Sequence, residues 1–331
     1  MKNREGVHPV PHMESVFMDS GAFTLFNDYT LKRREKRTGK HGKQLEAPIV
    51  RRGQGDYSWF DLSKGSEFRT YCDRYASFMK AMAGRGILFA NVDVIQNPDL
   101  TWESQRFFEE EHGVQPIPIV HGLTPMKYLH RYLDTGRYDL IGLGGLGHHI
   151  PFSAYIDWAD DVFLIICPES KGYMPQVRVH GFAMTSFHLM RRWPWWSVDS
   201  ASWVKTSAYG GIYVPRWSKD GGWRFDRPPI RIGVSSESSM RSKEDQHIDN
   251  VGESTRELVF KWVKHCGMRE GTLNKDGTMK EFGIRSHFRA RHIVNLTYMK
   301  DFEASLPRWP HKLDPRIVEL HRVNYHRGFG L

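Results

Sequence analysis

The sequence predicts an α/β fold, a TIM-type (β/α)8 barrel with insertions and a helical C-terminal extension. Six short apolar runs each end in a polar residue or glycine: Val16 to Asp19, Ile87 to Asp93, Ile117 to His121, Leu140 to Gly145, Val177 to His180 and Trp195 to Asp199. Apolar runs of this kind read as strands buried on both faces, as parallel sheets require. Helical patterns lie between them, and strand followed by helix, repeated, implies parallel pairing. The runs spread over about 200 residues with room for two further strands, which favours an eight-stranded barrel over an open doubly wound sheet.

The clearest helix runs from Ser66 to Ala83, where Phe68, Tyr71, Tyr75, Phe78, Met79 and Met82 recur at spacings of mostly three and four before Gly84 ends it. Thr124 and Pro125 open another as N-cap and first-turn residue, with Met126, Leu129 and Leu133 on one face before Gly136. Residues 1–217 are assigned to the main part of the barrel. Residues 218–250, rich in Gly, Pro, Ser and charge, read as a loop or linker. Residues 251–331 read as a helical C-terminal part packed on the barrel or completing it. There Ser254 and Glu257 have capping-box spacing, and Leu258, Val259, Trp262, Val263 and Cys266 form one apolar stripe before Gly267.

Composition narrows the function. The 331 residues are 40% apolar and 26% charged, enough for a packed core and too apolar for wholesale disorder. No run approaches the ~18 apolar residues of a membrane span, and Met1 to Val10 has no apolar signal region, so no membrane partner and a cytoplasmic location are expected. The three cysteines, Cys72, Cys167 and Cys266, are far apart and odd in number, which points to reduced thiols rather than a disulfide framework. Lys plus Arg is 47 against 38 for Asp plus Glu, a net charge of +9, which favours a polyanionic partner such as nucleic acid. Lys32 to Lys43 holds seven Lys or Arg and one Glu without apolar periodicity. It reads as a basic loop, with Lys32, Arg33, Arg34, Lys36 and Arg37 as phosphate contacts. Arg191 and Arg192 are further candidates.

In a barrel, chemistry sits where the strands end. That rule alone selects Asp19, Asp93, His121, Gly144, Gly145, His180 and Asp199 as a common mouth. Asp19 and Asp199 are each followed by small residues, and paired carboxylates suit chemistry at a sugar's anomeric carbon, one as nucleophile and the other handling a proton. The competing reading is that strand-end aspartates only cap the following turn. The run Ile141 to Gly147 lacks dinucleotide-fingerprint spacing but can bring backbone close to a planar ligand. His265, Cys266, His287 and His292 are a conceivable zinc set, yet Cys266 falls on the apolar stripe and reads as core.

These residues also carry a resemblance. Met18-Asp19-Ser20-Gly21-Ala22-Phe23 resembles the DSGGF strand of tRNA-guanine transglycosylases, Ile119-Val120-His121-Gly122 resembles their IVQG strand, and Gly144-Gly145-Leu146 is similar to the start of their GGLAVGE motif. Val179 to Met184, followed by Ser197 to Trp203, looks like the related DpdA family, which exchanges guanine in DNA for a 7-deazaguanine. The resemblance implies that Asp199 is the nucleophile, Asp19 the general acid/base and Asp93 the reader of the base edge. It places Ser20, Gly21, His121, Gly122, Gly144, Gly145, Leu146, His180, Gly181 and Met184 around the substrate, with His121 standing where the tRNA enzymes have Gln. The CxCxxC zinc motif of the tRNA enzymes is absent, as is length for an added RNA-binding domain. The implied partners are DNA and a free 7-deazaguanine base, with no cofactor and no metal. The alternatives are a tRNA-guanine transglycosylase and a retaining glycoside hydrolase, whose carboxylate pair and abundant aromatic residues fit equally but whose substrate does not call for the basic charge.

Overall fold

The computed structural model describes residues 16–21, 57–144, 151–238 and 246–319. The chain divides into two compact units, residues 1–182 with 315–331, and residues 183–314. Among the described residues no helix is long and apolar enough to cross a membrane.

The first unit is a succession of parallel strands with helices between them. β1 (Val16–Met18) pairs in parallel with β2 (Ile87–Phe89), Phe17 opposite Leu88. A single parallel bridge between Ala90 and Ile117 leads into β3 (Ile119–Val120). β3 pairs with β4 (Leu140–Leu143), and β4 with β5 (Arg178–Gly181), again in parallel. The strands follow chain order, so their carboxyl ends share one edge. A mixed α/β architecture with parallel pairing is thus present, although the described residues show no closed barrel.

The intervening helices follow from the sequence. α1 (Glu67–Ala81) starts at Ser66, whose hydroxyl accepts the Arg69 N–H at 3.1 Å. Its buried face, Phe68, Cys72, Ala76 and Met79, packs with Phe89, Val92, Phe107 and Phe108. α2 (Pro98–Arg106) has Asn97 as its cap and proline in its first turn, and continues as a π-helical turn through Phe107–Glu111. α3 (Lys127–Leu133) starts later than the expected Thr124 cap and has no side-chain cap bond. Thr124 is buried instead, its carbonyl accepting the Trp158 indole N–H at 2.8 Å. α4 (Phe152–Ile166) buries Tyr155, Ile156, Val162, Phe163 and Ile166, and a 3-10 turn at Glu169–Lys171 follows before β5.

In the second unit α5 (Phe187–Arg192), β6 (Ser197–Val198) and α6 (Ser202–Ala208) lead to β7 (Gly211–Val214). The stretch 218–250, expected as a loop or linker, includes regular structure among its described residues. They complete a hairpin, β8 (Arg216–Trp217) with β9 (Trp223–Arg224), and supply β10 (Ile230–Gly233), which pairs antiparallel with β7. Glycine, proline and charge in this stretch serve a tight turn and exposed edges, not a structureless connector. α7 (Glu253–His265) begins at Gly252 with no side-chain cap bond, so the capping box at Ser254 does not form. Its stripe is buried as expected at Val259, Trp262 and Val263. A small hairpin, β11 (Thr272–Leu273) with β12 (Met279–Glu281), precedes α8 (Phe288–Ala304).

α8 carries two polar residues into the core. Asn295, fully buried, accepts the Tyr213 N–H at 2.8 Å and donates to the Ser207 hydroxyl at 2.8 Å and the Trp203 carbonyl at 3.2 Å. Arg291 donates to the Ser207 and Ile284 carbonyls at 2.8 and 2.7 Å, and burial lowers its pKa from the usual arginine value. These bonds join α6, β7 and α8. Replacing Asn295 by Leu strands several buried backbone groups and is expected to cost about 2 to 4 kcal/mol in denaturant unfolding. Lys300→Ala, on the exposed face of α8, is expected to stay within about 0.5 kcal/mol of wild type.

Candidate active site

The parallel order of the first unit decides which predicted residues meet. Asp19 follows β1, Asp93 lies four residues beyond β2, His121 follows β3 and Gly144 follows β4, while His180 lies in β5 opposite Gly142. All stand at the carboxyl edge.

β4 and the residue just after it make the edge compact because two side chains are missing there. The alternate residues Gly142 and Gly144 face one side. A Cβ at Gly142 would fall 2.5 Å from the ring of Phe182 and 3.4 Å from Ile119. One at Gly144 would fall 2.9 Å from His121 Cδ2 and 3.3 Å from its Cα. Cβ contacts under 3 Å essentially never occur, so the glycines are there to admit the neighbouring rings. Sequence reasoning reserved that space for a planar ligand, whereas the protein's own Phe182 and His121 fill it. Phe17 stacks on His180 at 4.3 Å between ring centroids, with Phe182 edge-on to both.

The central contact is between His121 Nε2 and Asp93 Oδ2, 2.5 Å apart. Both side chains are largely buried, 13% and 11% exposed. A carboxylate only accepts, so Nε2 carries the shared proton in the ion-paired arrangement. His121 Nδ1 is buried with no hydrogen-bond partner among the described residues. It accepts from a ligand N–H when the ring is neutral and donates to a carbonyl when the ring is protonated. Asp93 keeps Oδ1 and further lone pairs for a second partner.

Helix side chains hold these positions. The Val94 N–H donates to the Thr101 hydroxyl at 2.9 Å, and Ser104 and Thr101 of α2 hold Asn91 through bonds of 3.2 and 3.1 Å, so the turn carrying Asp93 is fixed from both sides. On α1, Tyr71 donates to the Ser20 carbonyl at 2.5 Å and Tyr75 to the Ala90 carbonyl at 3.0 Å. Gly21 takes φ +74°, which suits glycine, and Tyr71 lies against it. Burial raises the pKa of both tyrosines, with the Asp19 charge adding to each and the Asp93 charge to Tyr75. Both therefore remain phenols at neutral pH and serve as donors. The sequence reading counted them only as apolar stripe; hydroxyls at i and i+4 on a helix facing two strand ends are the signal it passed over.

The remaining candidates are dispersed. Ser20 and Gly122 are buried beside Asp19 and His121, and Asp19 is exposed. Gly181 ends β5. Lys32, Arg33, Arg34, Lys36, Arg37, Gly145 and Leu146 lie outside the described residues. Asp199, exposed after β6 in the second unit, accepts the Ala183 N–H through Oδ1 at 2.7 Å, while its carbonyl accepts the Met184 N–H at 2.7 Å. It thereby anchors a turn in which Ala183 takes φ +55° and Met184 is buried. Arg191 lies over the Phe187 ring and donates to the Phe225 carbonyl, and Arg192 lies over Trp193.

Among the described residues no three His, Cys, Asp or Glu side chains stand together as a metal group. His287 instead caps α8 by accepting the Arg289 N–H, His265 stacks on Trp262, and burial pushes the Cys266 thiol up to about 12. Comparison with protein-family models, curated proteins and solved structures gives no match.

The pair makes a spectroscopic expectation. A short bond to a buried carboxylate protects the His121 Nε2 proton, which should give a slowly exchanging downfield resonance in wild type and none in Asp93→Ala. Persistence of that resonance in the variant would assign it to another histidine and remove the bond.

Proposed function

We propose that the chain is a pentosyltransferase that replaces guanine in DNA with a free 7-deazaguanine derivative, built on a TIM-type barrel. The observation that carries the reading is the Asp93–His121 pair at the strand edge that also carries Asp19, because the motifs resembling guanine transglycosylases fall on those same strand ends. Five strand segments in chain order with parallel pairing support the barrel, and the net charge of +9 supports a polyanionic substrate.

In this mechanism the Asp199 carboxylate attacks C1′ of a deoxyguanosine, and the bond from C1′ to N9 breaks as Asp19 delivers a proton to the departing guanine. The incoming 7-deazaguanine then attacks C1′ through its own ring nitrogen, returns a proton to Asp19 and displaces Asp199. Bonds and protons balance over the cycle without a redox cofactor. Asp93 Oδ1 accepts from the amine and ring N–H of the base, and His121 meets the adjacent carbonyl or N–H through Nδ1. The base must leave the helical stack to reach such a pocket.

Incubation with DNA and labelled guanine tests the reading directly: wild type should incorporate label, and Asp199→Asn should reduce incorporation to background with the fold retained, because an amide is not a carboxylate nucleophile. Label that never enters DNA, or near-normal exchange by Asp199→Asn, would overturn the reaction or the assignment. Asp93→Ala leaves base donors unpaired, a cost of about 1 to 3 kcal/mol. Calorimetry should show free guanine and 7-deazaguanine bound roughly tenfold to several hundredfold more weakly, with DNA affinity in the absence of free base little changed.

A further inference from the structure

Outside the strand-end site, the β8–β9 hairpin gathers several charged side chains among the described residues. Ser218, Gly221 and Gly222 make its turn: the Ser218 N–H donates to the Gly222 carbonyl at 2.8 Å, the Gly222 N–H to the Ser218 hydroxyl at 3.0 Å, and Gly221 takes φ +89°. Trp217 and Trp223 pack edge to face across the strands, 4.8 Å between centroids. Arg216, Trp217, Lys219, Arg224, Arg227 and Pro228 line an open concavity of about 660 Å³. That lies within the roughly 300 to 1,000 Å³ of ligand sites.

The charges in the concavity are unevenly matched. Arg224 is held by Asp226, Nε to Oδ1 at 2.9 Å with a second bond to Oδ2, which fixes its guanidinium. Arg216 donates to the Pro228 carbonyl at 3.4 Å and Arg227 shares the Asp226 charge with Arg224, while Lys219 makes no ion pair with a described residue. The cations also extend past the concavity. Lys261 of α7 sits 3.2 Å from the Trp217 ring centroid, and Arg191 reaches the Phe225 carbonyl at 3.0 Å. Several cations on one exposed hairpin face suit the phosphates of a strand, which present repeated charge, better than a single anion. Trp217 is 38% exposed with Lys261 Nζ over its ring, so aromatic surface and positive charge meet on this hairpin, the combination that single-strand sites use.

We propose that the β8–β9 hairpin binds a single-stranded segment of DNA, with Arg216, Lys219 and Arg227 on successive phosphates and a base laid on Trp217. A base within a duplex has no free face, so the ring selects unpaired strand. The site is independent of the reaction assigned to the strand-end carboxylates.

Anisotropy of a labelled oligothymidylate, titrated with full-length protein at several salt concentrations and without free base, tests it. The double variant Lys219→Ala/Arg227→Ala should bind at least about tenfold more weakly, with the salt slope reduced by roughly 1.4, about 0.7 for each lost single-strand contact. Trp217→Ala should lose roughly fivefold to a hundredfold, and Trp217→Phe should retain most of the affinity, because stacking needs only a π-face. All these positions are exposed or at the hairpin surface, and circular dichroism would confirm that the variants fold. Unchanged affinity and slope in the double variant would overturn the site. So would a Trp217→Ala protein that binds as wild type, or tight binding of duplex with none of oligothymidylate. Oligothymidylate binding without base exchange would overturn the proposed function and leave this site standing; exchange with an unaltered double variant would do the reverse.

Discussion

Two missing side chains, at Gly142 in β4 and at Gly144 just after it, set the geometry of the first unit's strand edge. Wherever Gly142 or Gly144 carried a Cβ, the ring of Phe182 or His121 would have to move. With His121 displaced, Nε2 would no longer lie 2.5 Å from Asp93, and the carboxylate would be left buried without its hydrogen-bond partner. Such a group is expensive, since a buried charge is tolerated only when paired and hydrogen-bonded. The glycines and the His–Asp bond are therefore one constraint seen at two levels, backbone approach and electrostatics.

The same logic explains why helices contribute polar atoms to the strand edge. A parallel strand ends in backbone groups without a ladder partner, and those groups need donors or acceptors from elsewhere. Tyr71 and Tyr75 supply donors to the carbonyls of Ser20 and Ala90, and Thr101 supplies an acceptor to Val94. Each bond is modest by itself, but together they fix the backbone at Ser20, Ala90 and Val94, next to Asp19 and Asp93. In the second unit Asn295 ties α8 to β7 and α6, and Arg291 ties it to the Ser207 and Ile284 carbonyls.

Much of this was legible in the sequence. All six apolar runs contain strands, and the rule that chemistry gathers at strand ends brought Asp93 and His121 together before any geometry was known. What escaped were features that depend on what lies opposite. Gly144 is identical on paper whether it faces a ligand or a histidine ring. Ser254 and Glu257 have the spacing of a capping box, but the helix begins at Glu253 and neither makes a side-chain cap bond there. The hairpin from Arg216 to Arg224 hid in a stretch whose glycines and charges resemble a linker, because strands of two residues are too short to show alternation. The sequence marks Asp199 as a candidate nucleophile, and its bond to the Ala183 N–H, which anchors a turn, depends on a partner sixteen residues away that the motif does not reveal.

The central claim is that the Asp93–His121 edge recognises a purine-like base. A crystal structure of the protein with guanine bound tests it most directly. The account predicts the base with its amine and ring N–H on the Asp93 carboxylate and its carbonyl edge toward His121. Guanine bound away from both residues, or no binding at saturating guanine, would contradict it.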